Sequence, residues 1–324
     1  MKLKLFSLAL MSLLISQSAH AVELKLATIA PQGTTLYAGL QKAANEVKTK
    51  TGGRVSFKIY GGAVLGEDKE LVGKLRYGEI DAAALTGIGL GMIDPEIRVL
   101  ELPFLFQNTN QVDAVYAGMK DHFAGRFDKK GFKLLGWSEV GFVKIFSNGP
   151  IRKRDDLNGK KMWMWEGDLL AKTMYESMGV TPIPLSIADV LTSLQTNLID
   201  AAYSPELGAI AFQWHTKVKY MTDINLVNGT GGIVVTKQAW NKISAADRKV
   251  VAEIVARHSK QMVQQTRQDN AKSKQALAAA GIEIVKLEPA AVSELQSIGN
   301  EVRQKLVGKL YSQSALDKVL SLIK

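Results

Sequence analysis

The sequence predicts an α/β protein of two lobes, and three observations support this fold class. Strand-like and helix-like patterns alternate along the chain, which is typical of a parallel sheet with helices on its faces. The chain has 324 residues, and a length of about 300 residues after a predicted leader exceeds what a single hydrophobic core usually accommodates. No tandem repeat, low-complexity tract or linker interrupts it, so we expect crossing strands, not a flexible tether, to join the lobes.

The first half of the chain supplies four strand patterns, at residues 23–30, 55–60, 80–85 and 133–137. Helix patterns separate them, with apolar residues at helical spacing, at residues 34–51, 68–77 and 112–127. The strand at 80–85 is almost wholly apolar, as a strand buried on both faces should be.

The second half repeats this alternation. Strand patterns occur at residues 161–165, 199–203, 226–236 and 282–287, and shorter helix patterns at 168–178 and 188–196. A long helix is predicted from a capping box at Ser244 and Asp247 to about Ala280, with Gly281 as its stop. Pro289 is suited to the first turn of a further helix, so the tail to Lys324 is predicted to be helical.

The first 21 residues have the pattern of a secretory signal peptide. Lys2 and Lys4 precede a short apolar run, and Ala19-His20-Ala21 offers the small residues of a cleavage site. The apolar run is shorter than the roughly 20 residues that span a bilayer. We therefore predict a soluble, exported protein that starts near Val22.

The charge and the cysteine content of the chain exclude some classes of function. The precursor has 41 Lys and Arg against 31 Asp and Glu, a net charge of +10. These charges are spread along helices and mixed in sign, so they indicate a solvated surface and no nucleic-acid partner. The chain contains no cysteine, which excludes disulfides and thiolate chemistry.

No catalytic, metal or cofactor motif is found. The mature chain has three histidines, His122, His215 and His258, and none is paired at a metal-binding spacing. The segment Gly87-Ile-Gly-Leu-Gly91 lacks the third glycine of a dinucleotide turn at the right offset, and we interpret it as a tight turn near the inter-lobe cleft. We predict a protein that is not an enzyme and that needs no cofactor or metal.

A series of short motifs, in a fixed order, carries a family resemblance. They are Leu24-Lys-Leu-Ala with Gly33-Thr-Thr, Gly61-Gly-Ala-Val-Leu-Gly66, Leu75-Arg-Tyr-Gly-Glu-Ile-Asp81, Leu102-Pro-Phe-Leu-Phe106, Asp156-Leu-Asn-Gly-Lys-Lys-Met162, Pro184 to Asp189, and Leu194-Gln-Thr-Asn-Leu-Ile-Asp200 with Pro205. From Val22 to about Lys305 the chain resembles the solute receptors of tripartite ATP-independent periplasmic (TRAP) transporters, the DctP-like family.

This resemblance implies a two-lobed periplasmic-binding-protein fold with a central inter-lobe cleft, crossing hinge strands and a long helix that spans both lobes. Lobe I is expected to comprise residues 22–139 and 230–270, and lobe II residues 140–229 and 271–324. The implied role is a receptor in the periplasm that hands a small-molecule ligand to integral membrane TRAP subunits. A sensor domain with the same fold is the alternative.

The chain departs from the family at the positions that contact ligand. Trp163 aligns with the arginine that clamps the ligand carboxylate, and Val143 with a second cleft arginine. Four other polar or aromatic family positions align here with Ile29, Thr86, Ile187 and Ser204. Phe142, Trp165 and Tyr203 are adjacent, and we predict that these nine residues form the ligand site.

Without an arginine clamp, a carboxylate would be buried with no cationic partner, whereas apolar ligand surface would be buried favourably. We therefore predict a hydrophobic, aromatic or amphipathic ligand. The alternatives are a small organic acid held by a non-standard clamp, and a Trp163 that only fills the cleft. The same pattern resembles TRAP receptors that work with a periplasmic TPR-repeat protein, which is a further predicted partner. Lys144 is predicted to face solvent because it alternates with Val143.

Overall fold

The computed structural model describes residues 21–323, so the predicted signal peptide lies, except for Ala21, outside the described residues. Eleven strands are defined there: β1 (Val22–Thr28), β2 (Val55–Tyr60), β3 (Ala82–Thr86), β4 (Phe132–Phe142), β5 (Lys144–Ser147), β6 (Trp163–Trp165), β7 (Ile183–Leu185), β8 (Ala201–Ser204), β9 (Tyr220–Thr222), β10 (Asn228–Thr236) and β11 (Glu283–Val285). All the strand patterns that the sequence predicts correspond to one of them.

The α-helices alternate with these strands. They are α1 (Thr35–Lys50), α2 (Asp68–Tyr77), α3 (Gly87–Ile93), α4 (Thr109–Lys129), α5 (Leu169–Ser177), α6 (Val190–Gln195), α7 (Glu206–Ala211), α8 (Lys237–Lys242), α9 (Ala245–Ala279), α10 (Pro289–Leu306) and α11 (Gln313–Leu322). Short 3₁₀ helices occur at Pro95–Glu101, Arg154–Leu157, Ile187–Asp189 and Trp214–Thr216. No helix within residues 21–323 is long and apolar enough to cross a bilayer.

Lobe I is built on a five-stranded sheet with the order β2-β1-β3-β10-β4. Strand β1 runs parallel to β2 and β3, but β10 runs antiparallel to both β3 and β4. The prediction of a parallel sheet is therefore wrong for β10. The physical reason is that β4 leaves this sheet toward the other lobe, and β10 returns from it in the opposite direction.

Lobe II is built on a four-stranded sheet with the order β11-β9-β5-β8, beside the parallel pair β6-β7. Strand β5 begins two residues after β4 ends, and β10 follows soon after β9. Two successive connections thus link the two sheets, as predicted for crossing hinge strands.

The long helix α9 connects the two lobes along one side. Ser244 caps its start by accepting a hydrogen bond from the Asp247 backbone N–H, and Gly281, at φ +92°, follows its end. The Met262 side chain fills the space where Gly39 of α1 lacks a Cβ atom, while Leu277 packs in the core of lobe II. The predicted helix spanning both lobes is confirmed.

The C-terminal tail forms two helices that separate. Helix α10 packs on α5, whereas α11 packs on α4, where Leu322 covers Gly118. The lobe boundaries stay a prediction, but the placement of α11 against lobe I does not fit the assignment of the whole segment 271–324 to lobe II.

The glycine-rich segment 87–91 is helix α3 and not the tight turn that we predicted. Thr86 caps this helix by accepting a hydrogen bond from the Ile88 N–H. A Cβ atom at Gly87 would collide with the Glu101 carboxylate, and one at Gly89 would crowd Asp68. The glycines therefore allow two buried carboxyl side chains to approach the helix closely.

Candidate ligand-binding cleft

A cavity of about 230 Å³ lies between the two lobes. The carboxyl ends of β1 and β3 contribute one wall, and β6, β8 and helix α7 contribute the other. Eight of the nine residues that we predicted as ligand contacts line it: Ile29, Thr86, Val143, Trp163, Trp165, Ile187, Tyr203 and Ser204. The structure brings these residues together; that they bind a ligand stays a prediction.

Phe142 is the exception. It packs against the hydrophobic core, and the lining of the cavity does not include it. The side chain of the next residue, Val143, lines the cavity instead, which fits the alternation of side chains along an extended chain.

The lobe II wall carries an aromatic cluster, which we define as Trp163, Trp165, Tyr203, Phe212 and Trp214. Trp163 is only 1% exposed. Its ring stacks on Tyr203 at a centroid distance of 4.7 Å and meets Trp214 edge-on at 5.3 Å. Its Nε1–H donates to the Leu185 carbonyl at 3.0 Å. Trp163 thus both lines the cavity and fills the core, so our two interpretations of this residue do not exclude each other.

Trp165 is more exposed than Trp163 and reaches across the cleft. Its Nε1–H donates to the Glu67 carboxylate of lobe I at 2.9 Å, and its backbone N–H donates to the Tyr203 hydroxyl at 3.1 Å. The second oxygen of Glu67 accepts the Ala188 N–H at 3.4 Å. Glu67 therefore joins the two lobes at this side of the cavity.

An ionic cluster, which we define as Arg98, Glu101 and Asp168, also lines the cavity. The Arg98 Nη2 group lies 3.0 and 3.1 Å from the two Asp168 carboxylate oxygens. The Arg98 Nε atom lies 2.8 Å from Glu101 Oε2. All three residues are buried. Arg98 and Glu101 come from the 3₁₀ helix of lobe I, and Asp168 caps α5 of lobe II, so the cluster also bridges the lobes.

Burial and the attraction between opposite charges shift the pKa values of this cluster in opposite directions. Burial raises the pKa of Glu101, and the Arg98 guanidinium and the Thr230 N–H oppose that rise. Burial alone would lower the pKa of Arg98, but the carboxylates of Asp168 and Glu101 raise it above its usual value. Arg98 therefore stays charged, and its charge is compensated within the cluster.

The ionic cluster is not among the ligand-site residues that the sequence predicts. A signal was present, because Arg98 and Glu101 are the only charged residues in the apolar stretch from Ile97 to Phe106. Nothing in the sequence indicates, however, that Asp168, seventy positions away, completes the cluster.

Two further charged residues are Glu139, which the sequence did not indicate, and Lys144, which the sequence predicted to face solvent. Glu139 lines the cavity and is paired with Arg267, whose Nη2 group lies 2.7 Å from Glu139 Oε2. Lys144 is buried and not solvent-facing as predicted, because Asp223 and Asn225 hold its Nζ group at 3.2 and 2.8 Å. Lys144 does not line the cavity.

The charged side chains that line the cavity affect which ligands it can bind. Among the described residues that line it, Arg98 is the only Lys or Arg, while Glu101, Glu139 and Asp168 are carboxylates. No three acidic or histidine side chains within residues 21–323 are placed to hold a metal ion. The rest of the lining is mainly aliphatic, aromatic or small.

Comparison with known proteins identifies the family. The family model of the bacterial extracellular solute-binding proteins, family 7 (DctP), matches residues 26–309. The chain belongs to this family. Its relatives are solute-binding receptors, which confirms the resemblance that the sequence motifs carry.

Individual relatives agree with this assignment. A solute-binding protein of Chromohalobacter salexigens is 27% identical over 277 residues, which cover 85% of this chain and 82% of that protein. Two solved structures have the same fold with TM-scores of 0.87. One is a Bordetella pertussis extracytoplasmic solute receptor that binds pyroglutamic acid, 22% identical, covering 94% of this chain and 99% of that one.

The second structure is a TRAP periplasmic solute-binding protein of Ralstonia eutropha with bound (S)-2-acetolactate. It is 25% identical and covers 93% of this chain and 98% of that one. The predicted two-lobed α/β fold is therefore confirmed for this DctP-family chain.

Proposed function

We propose that this DctP-family protein is a periplasmic receptor that binds an apolar, aromatic or amphipathic small molecule in the inter-lobe cavity. We further propose that it delivers this ligand to the integral membrane subunits of a TRAP transporter. The proposed contacts are the eight predicted residues that line the cavity, to which the aromatic cluster adds Phe212 and Trp214.

The proposed class of ligand depends on one observation. The only lysine or arginine in the described lining is Arg98, and two carboxylates already surround its guanidinium group. A ligand carboxylate would be buried beside a cluster whose charges sum to −1, without a free cation to compensate it. Apolar ligand surface instead gains about 25 cal/mol for each Å² removed from water.

The size of the cavity fits a small ring compound. An apolar cavity of about 150 Å³ is known to bind benzene. In proportion, the cavity of about 230 Å³ suits a ligand of ~9 non-hydrogen atoms. Stacked or edge-on contact with Trp163, Trp165 and Tyr203 would orient such a ring.

A small organic acid remains the competing ligand class, because the two structural relatives bind pyroglutamic acid and (S)-2-acetolactate. In the family pattern, the clamp for such acids is an arginine at the position of Trp163. Here Trp163 donates its N–H to the Leu185 carbonyl and has no cationic group to offer. This difference favours the apolar ligand.

Identification of the co-purified ligand tests the proposal. The exported protein is purified without denaturant and analysed by native mass spectrometry, and the bound compound is extracted into organic solvent and identified. We expect a stoichiometric apolar or amphipathic compound, and no calorimetric signal with succinate or D-glucuronate. Tight, stoichiometric binding of either acid, with no apolar compound bound, would contradict the proposal.

The membrane partner is tested separately. Genes for two integral membrane subunits beside this gene would support transport, whereas a sensor kinase gene alone would favour the sensor alternative. A neighbouring gene for a periplasmic TPR-repeat protein would support that predicted partner.

A further inference from the structure

Arg98 is the only lysine or arginine among the described residues that line the cavity. A guanidinium group is well suited to clamp a carboxylate through two parallel hydrogen bonds. In this protein, however, Nη2 of the guanidinium donates to both oxygens of Asp168, and Nε lies 2.8 Å from Glu101 Oε2 without forming a hydrogen bond. Two carboxylates therefore already surround the guanidinium group.

The two carboxylates are held in place and cannot easily move aside. Asp168 Oδ1 also accepts the backbone N–H groups of Leu170 and Ala171, at 3.0 and 3.3 Å. Glu101 Oε1 accepts the Thr230 N–H at 2.7 Å. The Glu101 carboxylate further occupies the space that Gly87 leaves free by lacking a Cβ atom.

From this geometry we infer that Glu101 and Asp168 are specificity-determining residues, which mask Arg98 and thereby exclude carboxylate ligands from the cavity. The inference deepens the proposed function, on which it rests, because it names the residues responsible for rejecting acids. A ligand carboxylate that approaches Arg98 meets two fixed negative charges for one positive charge. A neutral polar group, such as an amide or a hydroxyl, meets no such repulsion.

A merely structural ion pair is the simpler explanation, and the two explanations differ in one measurable quantity. If the cluster only joins the lobes, loss of one carboxylate lowers stability and affects the affinity for all ligands alike. If the cluster masks Arg98, the same loss changes the ratio of affinities for an acid and its neutral isostere.

Benzoate and benzamide are suitable probes, since both have nine non-hydrogen atoms and differ only in the charged group. Glu101→Gln and Asp168→Asn each remove one negative charge at nearly constant volume, and Asn is as good a helix cap as Asp. Glu96→Gln is the matched control. Glu96 is buried in the same 3₁₀ helix, but it contacts His122, Arg126 and Ser312 and does not line the cavity.

The affinities of the full-length mature protein and its variants are measured by calorimetry, after thermal unfolding has shown that each variant is folded. We expect the benzoate-to-benzamide affinity ratio to rise by about tenfold or more in Glu101→Gln and Asp168→Asn, since a like charge near the ligand is removed. In Glu96→Gln the ratio should equal that of the wild type.

The inference would be overturned if the benzoate-to-benzamide ratio were unchanged in both cluster variants, or if neither variant bound benzoate. An equal rise of this ratio in Glu96→Gln would also overturn it. Either cluster variant is sufficient if the other does not fold. A wild-type protein that prefers benzoate to benzamide would contradict the proposed apolar ligand. It would not by itself contradict the masking of Arg98, which is tested only by the change in the affinity ratio from wild type to variant.

Discussion

The aromatic cluster and the ionic cluster line the same cavity but are held together by different forces. Trp163 and its neighbours are fixed by ring packing and burial of apolar surface, within lobe II. Arg98, Glu101 and Asp168 are fixed by mutual charge, across both lobes. The lining of a cavity can therefore contain an arginine and still offer a ligand no free cation, because two carboxylates already surround its guanidinium group.

The ionic cluster should destabilise the protein strongly when its central residue is lost. Arg98→Met leaves Glu101 and Asp168 buried without a cationic partner. We expect the free energy of unfolding, measured with urea, to fall by about 3–5 kcal/mol. Arg257→Met is the matched control, because Arg257 forms its ion pair with Glu46 at the surface, where such pairs contribute little. Equal, small losses in both variants would show that the cluster contributes no more than a surface pair.

Within the aromatic cluster, we expect Trp163 to contribute mainly to stability and Trp165 to contribute mainly to ligand binding. Trp163→Ala removes a fully buried ring, and we expect a loss of about 3–5 kcal/mol in the free energy of unfolding. Trp165→Ala removes a partly exposed ring and should lower ligand affinity more than stability. Urea unfolding and calorimetry with benzamide measure the two quantities. A Trp165→Ala variant as unstable as Trp163→Ala would contradict this division of roles.

Another buried carboxyl group, that of Asp68, contrasts with the ionic cluster because it has no cationic partner within residues 21–323. Its carboxylate accepts hydrogen bonds from Thr86 Oγ1 and the Gly89 N–H. Burial nevertheless raises its pKa to about 6, from a usual 3.8. The folded protein therefore holds the proton more tightly than the unfolded chain, and stability from this group is lost as pH rises through about 6.

The Asp68→Asn variant should lack this pH dependence. Between pH 7 and pH 4, we expect the free energy of unfolding of the wild type to gain about 2 kcal/mol relative to that of Asp68→Asn. Urea unfolding of both proteins across this range provides the measurement. Parallel pH profiles would show that Asp68 ionises in the folded protein as it does in the unfolded chain.

Local signals explain what the sequence predicted correctly. Periodicity and caps located the long helix from Ser244 to Ala279, and the order of short motifs located residues that line the cavity, such as Thr86, Trp163 and Tyr203. Predictions failed where the outcome depends on distant partners. Segment 87–91 is a helix because its glycines accommodate Glu101 and Asp68, and Lys144 is buried because Asp223 and Asn225 compensate its charge.

The sequence by itself determined the α/β class, the family and the absence of an arginine at the clamp position. Those properties depend on the spacing and identity of residues along the chain. Only the tertiary structure decided that β10 runs antiparallel, that Phe142 faces the core, and that Asp168 meets Arg98. The reason is that charge compensation and burial depend on residues that are far apart in sequence and adjacent only after folding.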